Sequence, residues 1–173
     1  GVEIIVTPQS ELPSFTCHAS LLSLPRIFGT RLETIPSQVP YLRSEETLSK
    51  EWARRLGDGP GLKVGIVWRG NPAQKVNPMR SCPVALLEPL ARIPGIRLFS
   101  LQKDPGEEGI PSGVTDLADD LNDFTDTAAA VERLDIVISV CTSVAHLTGA
   151  LGRPLWVMLA FNADWRWLRE RDD

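Results

Sequence analysis

Residues 135–152, DIVISVCTSVAHLTGALG, read as a strand that turns directly into a helix. Ile136 to Val140 is a near-continuous apolar run of strand length, the pattern of a strand covered on both faces. Cys141-Thr142-Ser143 ends it, and a helix is expected from Ser143 to Leu151. Small hydroxyl residues at such a junction direct backbone N–H groups and the positive end of the helix dipole at one point, where a phosphate can bind. His146 falls one turn beyond Thr142 on the same helix face.

The same alternation extends in both directions. Leu62 to Trp68, Ile96 to Leu101, Val114 to Leu117 and Leu155 to Leu159 are the other strand candidates, and helices are expected at Pro83 to Arg92 and Asp126 to Leu134. Thr125 or Asp123 is the N-cap of the latter. Apolar strands alternating with helices predict an α/β class, a Rossmann-like doubly wound parallel sheet with its ligand at the carboxyl ends of the strands. Up to about residue 60 the pattern is irregular: a short strand (Val2 to Val6), an apolar helix (Ser20 to Phe28), a Pro-punctuated segment and a helix from Ser44 to Leu56. The Gly57-Asp58-Gly59-Pro60-Gly61 cluster is the strongest breaker, which sets expected domains at 1–60 and 61–173.

Composition narrows the function. The 18 basic and 22 acidic residues give a net charge of −4, and the basic ones form no stripe, which argues against nucleic acid as the partner. No apolar stretch approaches the roughly 20 residues needed to span a bilayer, so a cytoplasmic location is expected, with peripheral attachment to the inner membrane as an alternative. Three scattered cysteines, Cys17, Cys82 and Cys141, outline neither a disulfide framework nor a zinc site. The chain opens on Gly1 rather than Met and is expected to be part of something longer, truncated at its carboxyl end as well.

Three expected strand ends share one rim. The first carries Gly70 and Asn71, then a polar loop to Arg80-Ser81 at an expected helix start; the second carries Lys103; the fourth carries Cys141, Thr142, Ser143 and His146. Neither GxGxxG nor GxxxxGK[ST] is present, which disfavours a nicotinamide cofactor or an ATP-cradling loop. Arg80, Ser81, Lys103, Thr142, Ser143 and His146 are therefore the candidate phosphate ligands, with Gly70, Asn71 and Cys141 as further donor contacts. Such a set suits a diphosphate leaving group. Each has a plainer role open to it: Arg80 at the surface, Lys103 solvated, Thr142 and Ser143 as caps, His146 bonded to a carbonyl, Trp165 and Trp167 in packing. A Cys141 nucleophile with His146 as base is disfavoured by spacing and by the missing G-x-[SC]-x-G elbow.

At these motifs the chain resembles glycosyltransferase family 9, the heptosyltransferase-like family, in the bacterial branch fused to tetratricopeptide repeats. The segments are VGIVWRGNP (64–72), RSCP (80–83), FSLQK (99–103), DLNDFTDTAA (120–129), VCTSVAHLTGALGRPLWVML (140–159) and DWRWL (164–168), with FTCHASLLSLP (15–25) similar to the end of the preceding domain. The resemblance implies the carboxyl-terminal domain of a GT-B glycosyltransferase, with a remnant of the preceding domain. It implies a nucleotide diphosphate sugar as donor, a protein or glycolipid acceptor, fused repeats, no cofactor, no obligatory metal and a catalytic base in the amino-terminal domain. Thr142, Ser143 and His146 match that family's donor-binding helix start, and Arg80 matches its basic residue before Pro. The chain departs from the family at Cys141, where Asp is usual, and a thiol lacks a carboxylate's charge and acceptor capacity. A fragment without its partner domain is expected to be inactive alone, and a catalytically degenerate binding or scaffold module is the alternative.

Overall fold

The computed structural model describes residues 4–168. The chain forms two compact units, one ending at Ser37 and the other starting at Gln38. The first contains a 3-10 turn, Leu21–Ser23, running into α1, Leu24–Ile27, and a second 3-10 turn, Leu32–Thr34. None of its described residues is buried. The strand expected at Val2 to Val6 is not present in its described part, residues 4–6, which pair with no neighbour; Val2 lies outside the described residues. The helix expected from Ser20 shrinks to one α-turn, because Pro25 lacks an N–H and fits only a first turn.

The second unit is a five-stranded parallel sheet: β1, Leu62–Val67; β2, Ile96–Ser100; β3, Val114–Asp116; β4, Ile136–Val140; β5, Leu155–Met158. Their spatial order is β3-β2-β1-β4-β5. The helices are α2, Glu46–Leu56; α3, Asn77–Arg80; α4, Glu88–Ala91; α5, Phe124–Glu132; and α6, Ser143–Ala150. The fold is thus α/β and Rossmann-like. Among the described residues no helix is long and apolar enough to cross a membrane.

Each face of the sheet has its own core. On one, Val67, Phe99, Leu101 and Val137 meet Trp52 and Leu56 of α2, Ala128 to Val131 of α5, and Leu134. On the other, Val64, Ile66, Trp68 and Leu98 meet Val84 and Leu87. Alternation along β1 assigns the faces. Gly65 is small because a Cβ there would lie 2.6 Å from a Leu134 methyl and 3.0 Å from one of Leu101.

Two expectations are corrected by local chemistry. Pro83 to Arg92 is not one helix but a 3-10 turn, Val84–Leu86, followed by α4, because Pro89 cannot continue the N–H ladder. The glycine cluster at 57–61, expected between domains, is a turn inside the second unit. Trp52 and Leu56 on its amino-terminal side are 1% exposed in the sheet's core. The Arg97 guanidinium donates to the carbonyls of Leu56, Gly57 and Gly59 and so fastens the turn to β2. Of the two N-cap candidates for α5 the structure uses Asp123, whose carboxylate accepts the Thr125 and Asp126 amides at 2.7 and 3.0 Å.

Glu132, the last residue of α5, clasps the segment before α2. It accepts the Ser44 amide at 2.9 Å, the Ser44 hydroxyl at 2.5 Å and the Ser49 hydroxyl at 3.3 Å, while Arg133 donates to the Ser49 carbonyl and hydroxyl. Burial opposes ionisation of Glu132, but the Ser44 and Ser49 hydrogen bonds and the Arg133 charge outweigh it and hold the carboxyl below its ordinary value. The stability it contributes is therefore present above the unfolded value of about 4.3 and disappears as pH falls through the lower folded value. Glu132→Gln is expected to cost about 1 kcal/mol at pH 7 in urea unfolding, with the gap to the parent chain closing as the pH is lowered below about 4.

Candidate functional site

In an open parallel sheet the ligand crevice lies outside the strands' carboxyl ends where the winding reverses. Here that point is between β1 and β4, since β2 and β3 extend to one side and β5 to the other. A groove of about 320 Å³ occupies it. Its walls are Val67 and residues 69–72 after β1, residues 101–104 after β2, and Thr142, Ser143 and Val144 at the start of α6. It is continuous with a smaller recess of about 230 Å³ toward α5, with which it shares Leu101, Lys103, Ser143 and Val144.

The structure therefore gathers Gly70, Asn71, Lys103, Thr142 and Ser143 from three strand ends. Thr142 has the extended backbone of an N-cap, yet its side chain does not cap α6. Its hydroxyl is instead 3.1 Å from that of Ser139. With no acidic residue in the first turn, the leading amides of α6 face the groove side without a side-chain acceptor. Lys103 borders the groove, but its ammonium donates to the carbonyls of Ala118 at 2.6 Å and Leu121 at 2.8 Å. Two of its three donors are thus already committed.

The remaining candidates lie elsewhere. Arg80 and Ser81, expected at a helix start, sit at the opposite pole: Arg80 ends α3 and Ser81 is its C-cap. Ser81 donates its hydroxyl to the Asn77 carbonyl at 2.8 Å, and a helix's carboxyl end presents carbonyls rather than free amides. The Arg80 guanidinium packs on Gly70, where an added Cβ would fall 2.4 Å from Nη2. It lines neither cavity at this rim. Gly70 is thus explained by arginine packing.

His146 and Cys141 are joined through Trp167. The Trp167 indole stacks on the imidazole at 5.1 Å with 16° between planes, and its Nε1 donates to Cys141 Sγ at 3.2 Å. Burial, followed by the nearby Arg166 charge, lowers the His146 pKa, while Asp164 pulls the other way. Its imidazole is therefore neutral at pH 7, and a neutral ring offers an anion one hydrogen-bond donor and no charge.

Two residues outside the expected set organise the rim. Gln102, 5% exposed, accepts the amides of Trp68 at 3.2 Å and Arg69 at 3.0 Å on Oε1. Its Nε2 donates to the Asp104 carbonyl at 3.0 Å. Arg69 lines the groove, and it also lines a larger cavity of about 590 Å³ on the far side of the β1 end. Its position directly after a parallel strand was the available sequence signal for it. That larger cavity is walled by Trp68, Asn77, Ser81, Cys82, Asp104, Glu107 and Glu108 among others. Burial, then the neighbouring Glu108 charge, raises the Cys82 thiol pKa.

Gln102→Leu leaves two backbone amides of the rim without acceptors and is expected to cost about 1–3 kcal/mol, measured by urea denaturation; a loss within error of zero contradicts the role given to Gln102. Removing the cover in Trp167→Ala should raise the His146 midpoint toward its ordinary value of about 6.5. Proton NMR titration of the imidazole reads that shift directly.

The comparisons with known proteins are sparse. No family model matches the chain, and no solved structure does. The chain is similar to "Protein FlbA" of Caulobacter vibrioides (strain ATCC 19089 / CIP 103742 / CB 15), with 30% identity over 140 residues. The match takes in 73% of this chain but 23% of FlbA, so the chain spans about a quarter of that relative's length.

Proposed function

We propose that this chain is the donor-binding portion of a glycosyltransferase that moves a sugar from a nucleotide diphosphate sugar to an acceptor hydroxyl. The observation that carries the reading is the groove at the β1–β4 reversal, where Thr142 and Ser143 present the uncapped start of α6 and Lys103 adds positive charge. In such a site the amides and cations stabilise negative charge developing on the departing diphosphate, and no metal is required for that. The sequence resemblance supplies the rest of the reading: a GT-B arrangement, a catalytic base on a second domain, and a longer protein with tetratricopeptide repeats and a protein or glycolipid acceptor.

One observation favours a second reading, a degenerate module that binds without turnover. Cys141 stands where the resembled family has a carboxylate, and its sulfur accepts the Trp167 indole N–H. The face of His146 against which Trp167 stacks is likewise taken by the chain itself.

Calorimetric titration of the 173-residue chain with UDP, GDP and ADP tests the shared core of both readings. At least one should bind with a Kd of about 1 mM or tighter, near the −4 kcal/mol scale of a modest anion site. Ser143→Asp places a carboxylate where the phosphate is expected. It should weaken that binding at least tenfold while leaving the melting temperature unchanged or higher, since an acidic residue suits a helix N-terminus. Absence of binding to all three nucleotides overturns both readings. Sugar transfer by a longer protein containing this chain, present or absent, separates them.

A further inference from the structure

Three cations stand near the β1 and β2 ends. Lys103 holds the carbonyls of Ala118 and Leu121. Arg80 is packed on Gly70 with its Nε buried and unpartnered among the described residues, and it lines neither cavity. Arg69 differs in bordering open space on both sides. Among the described residues its guanidinium makes no hydrogen bond, and the ion pairs there join other residues. It is half-buried and borders both the switch-point groove and the 590 Å³ cavity. Its fork rests directly on the backbone of Gly106, where a Cβ would fall 1.5 Å from Nη1. Gly106 also has φ +71°, so the loop after β2 keeps a side-chain-free position at the one place the guanidinium needs it.

The 590 Å³ cavity on the far side of Arg69 has a contrasting lining. Asp104, Glu107 and Glu108 contribute carboxylates, and Ser81 and Asn77 contribute neutral polar groups. Among the described residues, no three His, Cys, Asp or Glu side chains are placed to hold a metal ion. Trp68, 1% exposed, forms part of the wall, and its indole N–H has no acceptor among the described residues. A buried donor without a partner is costly, and a ligand oxygen would satisfy it.

We propose that Arg69 receives the donor's phosphate and that the acidic cavity beside it holds the donor's sugar, admitting neutral or amino sugars and rejecting those that carry a carboxylate. This rests on the nucleotide-sugar reading of the groove. A guanidinium fork matches phosphate oxygens in a bidentate geometry. Sugar hydroxyls or an ammonium donate to the cavity's carboxylates, whereas a uronate meets three like charges along one open wall and is disfavoured by repulsion.

The test compares UDP, UDP-glucose and UDP-glucuronate, with GDP, GDP-mannose and GDP-mannuronate as the second series, by calorimetry on the 173-residue chain. In the series that binds, the hexose conjugate should bind at least tenfold more tightly than the hexuronate. Arg69→Ala should weaken the nucleotide diphosphate itself at least tenfold, and Arg69→Lys should restore part of that loss. Glu107 accepts no hydrogen bond among the described residues, so Glu107→Lys is expected to fold normally. It should raise hexuronate affinity at least fivefold relative to that of the hexose conjugate. Thermal melting of each variant verifies the fold. Nucleotide binding that survives Arg69→Ala, or a hexuronate bound as tightly as its hexose, overturns this inference alone. Failure of the parent chain to bind any nucleotide overturns the donor-site reading and this inference with it.

Discussion

The side-chain amide of Gln102 is the contact on which the rim depends. One oxygen accepts the amides of Trp68 and Arg69, where β1 has run out of ladder partners, and the nitrogen fixes the loop after β2 through the Asp104 carbonyl. Parallel strands leave their carboxyl ends without the hairpin closure that antiparallel strands enjoy, so exposed backbone groups must find acceptors elsewhere. A 5%-exposed glutamine with all three contacts inside the protein performs that service. Without it the divergence of the chain after β1 and β2, which opens both cavities, has no fixed geometry.

The five strands of the sheet were legible in the sequence because their signal is local, whereas the run at Val2 to Val6 forms no strand in its described part. Continuous apolar, β-branched runs such as Ile136–Val140 mark a strand locally, and the structure returns it with the same bounds, Val137 buried on one face and Ile136 and Ile138 partly buried on the other. Helix lengths were less legible where Pro sits inside an apolar pattern. Pro25 and Pro89 cut expected helices of nine and ten residues each down to a single α-turn. The expected boundary at the glycines misjudged a turn, since backbone flexibility says nothing about whether Trp52 and Leu56 upstream are buried.

The site was legible in part, and the split has a physical cause. Strand ends are fixed by topology, so Gly70, Asn71, Lys103, Thr142 and Ser143 meet as their positions predict. Where a long side chain goes is decided by tertiary packing that spacing does not encode. Arg80 turns onto Gly70, Lys103 spends its ammonium on two carbonyls, and His146 faces a tryptophan 21 residues downstream in sequence (167 − 146). The polarity of α3 was likewise invisible: Ser81 follows a helix rather than opening one, because Pro78 already starts it. Spacing alone does not single out Arg69, and only the cavity on each side distinguishes it.

The contact between Arg69 and Gly106 also bears on how this chain can vary. The two positions are 37 residues apart in sequence (106 − 69), on different loops, yet a side chain at 106 requires the Arg69 guanidinium to move. Any side chain at 106 displaces the guanidinium, while a small residue at 69 removes the steric reason for glycine and leaves only the backbone one, φ +71°. Drift at this rim is therefore expected to run in one order, with the arginine lost first and the glycine released afterwards. A chain that retains the arginine in this position is expected to keep the glycine as its companion.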